Sequence, residues 1–348
     1  MDDTFDLLVA SLLPSVGPRQ VRALAAGPGL AAALRNPAAC REVLPDAAVR
    51  ALAGGQAVAR AESERRRALE RGLSVIGWHD ADYPALLHHT FDPPPVLYAR
   101  GRLGGAAPAA AVAVVGSRAA SPQGLALARG LGRDLAAAGV TVVSGLARGI
   151  DTAAHQGALD AQGLTVAVLG SGHDRLYPRE NASLAERIAE TGAVVTEFPL
   201  GTPPLPGHFP RRNRIIAGWA RAVVVVEARE RSGALVTARL ALDEGREVMA
   251  VPGHPSHPGA AGTNALLRDG ARLVRDARDV SEELGLSPAT EEPPGDAILA
   301  ALGRDVPLSL DELVERVGWS AAELLGRLTA LELDQRVRRL PGALFARA

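Results

Sequence analysis

The feature that most constrains the fold is a series of short, almost uninterrupted apolar runs in the middle of the chain. Ala111–Val115, Val140–Val143, Leu164–Leu169, Ala193–Thr196 and Ala222–Val226 carry scarcely a polar side chain. A strand covered on one face alternates apolar and polar residues. A run that is apolar at nearly every position needs cover on both faces, as parallel strands between two helical layers have. Leu73–Trp78, Val96–Ala99, Glu247–Val251 and Ala271–Val274 are further strand candidates. The segments between strands read as helices with identifiable ends. Ser121 is placed to cap one that Pro122 begins and Gly139 stops, and Asp151 to cap another that ends before Gly163. This alternation predicts an open, doubly wound α/β sheet over residues 67–286.

Two smaller regions flank it. Residues 1–66 read as a small helical domain of the helix-hairpin-helix or SAM-like kind. In Ser11–Val21, Gly17 permits a sharp turn and Pro18 suits the first position of the next helix. Such a hairpin can offer amides to phosphate, but packing is the preferred reading. Residues 287–295, polar and proline-rich, read as a linker. Residues 296–348 follow the order of a winged helix. Helices are expected to start near Asp296, Leu310 and Ala321, with capping boxes at Ser309/Glu312 and Ser320/Glu323 and a hairpin turning at Pro341-Gly342. Its third helix carries Glu323, Glu332 and Asp334 against Arg327, which disfavours phosphate. Despite Arg336, Arg338, Arg339 and Arg347 in the wing, protein contact is expected ahead of groove reading.

The 348 residues have a formal net charge of −1, so a nucleic-acid site must be a local patch. The sequence contains no lysine, and every phosphate contact would use a guanidinium fork. No apolar run reaches the ~18 residues that span a bilayer. The acidic start, Met1-Asp2-Asp3-Thr4-Phe5-Asp6, lacks the basic region of a signal peptide, and Cys40 stands alone, so a cytoplasmic location is expected.

In an open α/β sheet, ligands bind beyond the carboxyl ends of the strands. The residues there are Gly116-Ser117-Arg118, Ser144-Gly145-Leu146-Ala147-Arg148-Gly149, Gly170-Ser171-Gly172 with His173 to Arg179, and Glu197-Phe198-Pro199-Leu200-Gly201. Glycines allow close backbone approach, and Arg118, Arg148, Arg175 and Arg179 add charge along one rim. His208–Arg221 is the densest basic stretch, with Arg211, Arg212 and Arg214 read as sitting just before a core strand beside Asn213. An anion site is expected, with Phe209 or Tyr177 able to stack a base. Aromatics at 3% imply a grip on the backbone more than on bases.

Other chemistries fit poorly. Arg118 stands where a dinucleotide fingerprint needs its second glycine, and a Walker A motif needs a lysine. Pro255 and Pro258 break the alignment of His254 with His257, and neither Ser144 nor Ser232 lies in a G-x-S-x-G elbow. No cofactor, metal or catalytic residue is therefore expected.

Five blocks occur in an order that resembles the DprA/Smf family. They are Gly116–Arg118, Ser144–Asp151, Phe209–Gly218, Arg231–Arg239 and Gly245–Gly253. The resemblance implies an extended Rossmann-like homodimer that is not an enzyme. It implies a protein that binds single-stranded DNA, protects incoming strands in natural transformation and hands them to the RecA recombinase, with a single-stranded-DNA-binding protein as a further partner. It implies DNA contacts from Gly116, Ser117, Arg118, Arg148, Arg211, Arg212, Asn213 and Arg214. Arg179 stands near the family's usual lysine position, and Trp219 reads as packing. Ser144, Gly145, Arg175 and Phe209 complete the candidate set. The rivals are a nucleotide-processing hydrolase using Glu197 or Asp151, on fold analogy alone, and a duplex-DNA regulator acting through the winged helix.

Overall fold

The computed structural model describes residues 3–103, 110–286, 297–302, 307–334, 336–340 and 342–347. The chain divides at Leu286 into two compact units.

The larger unit is built on nine strands: β1 Ser74–Gly77, β2 Val96–Gly101, β3 Ala111–Val115, β4 Thr141–Ser144, β5 Thr165–Val168, β6 Ala193–Thr196, β7 Ala222–Val225, β8 Glu247–Ala250 and β9 Arg272–Leu273. All nine match sequence candidates, most of them trimmed by a residue or two at the ends. Their order is β1-β2-β6-β5-β4-β3-β7-β8-β9. The stretch from β6 to β9 is parallel, while β1 and β2 add an antiparallel edge. Every residue of β3, β4, β5, β6 and β7 is buried, as their unbroken apolar runs require. The chain steps outward from β3 to β6, then returns to lay β7 on the other side of β3. The sheet therefore reverses direction between β3 and β7, where doubly wound sheets open a crevice.

The helix Pro122–Ala137 starts as its sequence implies, with Ser121 Oγ accepting from Gly124 N at 3.0 Å. The next helix, Ile150–Asp160, differs from expectation: Gly149 precedes it and Asp151 lies inside its first turn. The two helices pack almost backbone to backbone. A Cβ on Gly132 would stand 2.2 Å from the Ala154 carbonyl, and one on Gly157 would stand 2.0 Å from that of Arg129.

The expected boundary near residue 66 falls inside the helix Gln56–Leu69 and does not separate two packing units. Leu7, Leu8, Leu24 and Ala61 share one core with Ile76, Trp78, Leu97 and Tyr98. Polar contacts join the same parts: Thr4 Oγ1 donates to Asp80, and Leu200 N donates to Glu64 Oε1 at 2.6 Å. The Gly17 amide, a candidate phosphate donor, is taken by Gln20 Oε1 at 2.7 Å.

In the smaller unit, helices Ala297–Ala301, Leu310–Val317 and Ala321–Leu333 accompany three strands, β10 Leu308–Ser309, β11 Val337–Leu340 and β12 Leu344–Arg347. The order β10-β12-β11 is the small antiparallel sheet of a winged helix. Both capping boxes form. The linker 287–295, Asp296 and Pro341 lie outside the described residues. Among the described residues, no helix is long and apolar enough to cross a membrane.

A buried histidine makes the larger unit sensitive to acid. His155 is fully buried, with Nδ1 2.7 Å from Thr165 Oγ1. That hydroxyl donates its only proton to the Val142 carbonyl, so the imidazole carries its hydrogen on Nδ1. Burial lowers its pKa from 6.5 to about 3, and the charge on Arg212 adds to the effect. The folded-state pKa lies below the unfolded one. The contribution is thus fully present above pH 6.5 and is lost as pH falls from 6.5 towards 3. His155→Asn keeps a donor near the Nδ1 position and removes the titration. Between pH 7.5 and pH 5, urea unfolding of the native chain should lose about 2 kcal/mol more than that of the variant. Equal losses would show that His155 does not carry this sensitivity.

Candidate nucleic-acid interface

Three loops meet at the β3/β7 crevice because backbone groups bolt them together. Ser117 N donates to the Glu227 carbonyl at 2.7 Å, and Ile150 N donates to the Ser117 carbonyl at 3.2 Å. The Glu227 carboxylate accepts from Ser121 N at 2.9 Å and from the Ser121 hydroxyl. Gly116 leaves no room for a side chain. A Cβ there would lie 2.6 Å from Ile150 Cγ1 and 2.9 Å from the Glu227 carbonyl.

Above these loops opens a cleft of about 730 Å³, lined among others by Gly116, Ser117, Arg118, Tyr177, Phe209, Arg212, Asn213, Arg229, Arg231 and Ser232. A side pocket of about 200 Å³ shares Arg118, Tyr177, Phe209 and Arg212 with it and adds Gly145 and Arg148. The ring centroids of Tyr177 and Phe209 stand 5.8 Å apart at 55°. The exposed Arg118 guanidinium lies 5.2 Å from the Phe209 centroid. Ser117 Oγ accepts from Ala119 N at 3.2 Å, which leaves the hydroxyl hydrogen free to donate. The helix Gly233–Asp243 starts at the cleft, with Ser232 as its cap and Asn213 Nδ2 3.4 Å from the Gly233 carbonyl. An N-terminus so placed favours an anion.

The arginines of 208–221 behave differently from one another. The stretch is a helix, His208–Trp219, that ends just before β7. Neighbouring helical positions point in different directions, while positions three apart share a face. Arg211 and Arg214 accordingly both meet Glu197, at 2.8 and 2.6 Å. Arg214 also reaches Asp92 and is largely enclosed. Arg212 turns into the protein, where its guanidinium donates to the carbonyls of Gly145, at 2.6 Å, and Val168. Burial lowers its pKa to about 10, opposed by the charge on Asp151, so it stays protonated at neutral pH.

Asp151 completes that arrangement. Its Oδ2 accepts from Gly145 N at 3.0 Å and Ala147 N at 3.3 Å. Burial raises its pKa, against the pull of Arg212 and of the two amides. Those amides, in a loop read from the sequence as part of an anion site, therefore face their own aspartate. Ser144 likewise points inward and donates to the Val114 carbonyl at 2.6 Å. Arg148 is paired with Glu180 on the surface. Arg175 and Arg179 are exposed but do not line the cleft.

Arg229 and Arg231, both exposed, line the cleft and were not among the expected contacts. The rule that located the other loops reaches them when it is applied to the strand at Ala222–Val226. The intervening Glu227 and Glu230 made that segment look unlike a basic rim.

Removing Arg212 should cost stability before it costs binding. Arg212→Ala strands Asp151 in the interior and leaves two carbonyls without their donor. Leaving a buried charge without its counter-charge in this way costs about 3–5 kcal/mol. Denaturation should register that loss. A variant that melts like the native chain yet fails to bind an anion would make Arg212 a direct contact instead.

The family described as DNA recombination-mediator protein A matches residues 74–285, and the DprA winged helix domain matches residues 282–343. Protein Smf of Escherichia coli is 43% identical over 277 residues, covering 75% of this chain and 74% of that protein. The putative DNA processing protein DprA of Mycobacterium tuberculosis is 42% identical over 300 residues, covering 79% and 77%. Among solved structures, DNA processing protein A from Streptococcus pneumoniae superposes with a TM-score of 0.66 at 34% identity, covering 80% of this chain and 95% of that one. The Helicobacter pylori protein, whose structure concerns a single-stranded-DNA binding mode, gives a TM-score of 0.54 at 27% identity, covering 61% and 95%. With its Rossmann-like sheet, its winged-helix unit and these matches, the chain belongs to the DprA/Smf family of DNA processing proteins.

Proposed function

We propose that the chain binds single-stranded DNA in the cleft between the ends of β3 and β7. Arg118, Arg229 and Arg231 hold phosphates, Ser117 and Asn213 supply neutral hydrogen bonds, and Phe209 and Tyr177 stack bases. One observation carries this reading. The lining brings three exposed arginines, with no ion pair recorded among the described residues, beside two aromatic rings, and Asp151 is its only carboxylate. A groove that joins cationic forks to aromatic faces suits a strand whose bases are unpaired. Arg148 adds to it by exchanging Glu180 for a phosphate, because an exposed ion pair is worth only about 0–1 kcal/mol. Arg212 supports the loops from beneath. The Helicobacter pylori relative's single-stranded-DNA binding is consistent with this reading. Delivery of the strand to RecA, protection of incoming DNA in natural transformation, assembly as a homodimer and dealings with a single-stranded-DNA-binding protein belong to the same proposal and rest on the family resemblance.

A hydrolase would need a carboxylate free to touch a ribose. Asp151 is buried under two amide donors, and Glu197 is held by two arginines. Neither is poised for that role.

Each phosphate neutralised on a single strand contributes about −0.7 to the slope of log affinity against log salt. Three or four arginines should give a slope of about −2 to −3 with an oligothymidylate, little change with a mixed sequence, and weaker binding to duplex. Arg118→Ala should weaken binding by roughly 10- to 150-fold, the worth of one charge-assisted hydrogen bond, at unchanged melting temperature. A flat slope, or an Arg118→Ala affinity equal to the native one, would remove the cleft from consideration.

A chain ending at Leu286 should retain the cleft and bind the same oligonucleotide, because every proposed contact lies in the larger unit. A folded truncation that no longer binds would move the function to the winged helix.

A further inference from the structure

A second groove lies on the other side of the proline-rich loop that borders the cleft. Its volume is about 470 Å³, and its walls include Arg60, Ser63 and Arg67 from one helix and Gly201, Leu205 and His208 from the loop. Arg60, Ser63, Glu64 and Arg67 recur at the three- and four-residue spacing of one helical face, so all four look the same way. Glu64 fixes the geometry: its carboxylate accepts from Leu200 N at 2.6 Å and from Arg67 at 3.1 Å, and its side chain is 6% exposed. Its charge is thereby matched inside the protein. The Arg60 guanidinium is exposed and makes one weak contact, 3.3 Å to the Leu12 carbonyl. The Arg67 side chain is 40% exposed and keeps donors free. His208 Nδ1 lies 3.1 Å from the Pro203 carbonyl, and the imidazole stacks on Phe198 at 4.3 Å. With Arg67 paired to Glu64, Arg60 leaves the groove net positive; the groove also offers the Ser63 hydroxyl and presents Leu205, half exposed at its lip.

The two grooves share one wall. Pro203, Leu205 and His208 line this one, while Pro204, Pro206 and Phe209 line the cleft. Alternate residues of a single short segment thus face opposite sides, and four prolines at 199, 203, 204 and 206 stiffen it. A strand leaving the cleft past Phe209 meets the basic groove directly across that wall.

We infer that the groove between the helix Gln56–Leu69 and the loop 199–208 is a second phosphodiester-binding site, which takes the continuation of the strand held in the cleft. The inference rests on the single-stranded-DNA reading above. Arg60 and Arg67 each hold a backbone phosphate there, and Leu205 packs against a sugar or base. The N-terminal helices then act as part of the binding surface as well as part of the core. Nothing in the groove reads bases, so it lengthens the site without adding sequence preference.

The test compares labelled oligothymidylates of about 5 and about 15 nucleotides, within the range of lengths that single-strand sites span. The native full-length chain, Arg60→Ala/Arg67→Ala and Arg60→Glu are each titrated in salt and checked by thermal melting. Arg60→Glu leaves the Glu64–Arg67 pair untouched, which guards against a folding artefact in the double variant. Binding of the short strand should stay within about twofold of native. Binding of the long strand should fall about 10-fold or more, and in the double variant its salt slope should become less negative by about 1.4, two phosphates' worth. Unchanged long-strand affinity and slope in both variants would overturn the second site. Equal losses for short and long strands would also overturn it, by assigning these arginines to the cleft or to folding. A native chain that fails to bind even the short strand would bring down the cleft reading first and this inference with it.

Discussion

The edge of the sheet at the cleft depends on one buried guanidinium. Arg212 reaches under the cleft and holds the Gly145 and Val168 carbonyls, the ends of two neighbouring strands. A buried cation persists only when its charge is answered. Here Asp151 answers it, while also gathering the amides of Gly145 and Ala147. The loop after β4 is thereby closed on itself, and its polar backbone is satisfied internally. A loop so tied can carry ligand-facing side chains without sagging into the crevice. The same logic recurs at Glu197, whose carboxylate draws Arg211 and Arg214 onto one spot.

The chain thus divides its arginines into two kinds. Some are structural: Arg212 in the interior, Arg214 against Glu197 and Asp92, Arg246 on the carbonyl of Leu86. Others, Arg118, Arg229 and Arg231, stand exposed around the cleft. A guanidinium serves both roles because its planar fork can satisfy two carbonyls or bind a phosphate. The near-zero net charge of the whole chain is no obstacle, since the acids concentrate elsewhere and only one carboxylate lines the cleft.

Much of this was legible in the sequence. Unbroken apolar runs marked the five central strands, β3 to β7, because burial on both faces leaves no room for polar residues. The loops after β3 and β4 and Tyr177 followed from the rule that ligands gather at strand ends, and Phe209 from the dense basic stretch that contains it. What escaped depends on direction, which composition does not encode. Arg211, Arg212 and Arg214 look equivalent as a string, but a helix sends them to different neighbours. Asp151 looked like a helix cap and proved to be the partner of a loop. Arg229 and Arg231 were obscured by Glu227 and Glu230 beside them. The helical N-terminus read as a separate domain because its apolar residues are spaced like those of a small bundle. Leu7 and Leu8 in fact complete the core beneath β1 and β2.

The proposed site lays a single strand in the cleft at the β3/β7 switch point, with its bases against the aromatic pair. Photocrosslinking tests it most directly. An oligothymidylate carrying a photoreactive pyrimidine is irradiated on the full-length protein, and the adducts are located by mass spectrometry. Adducts are expected on peptides that contain Tyr177 and Phe209. Adducts confined to residues 307–347, with none around the cleft, would contradict it.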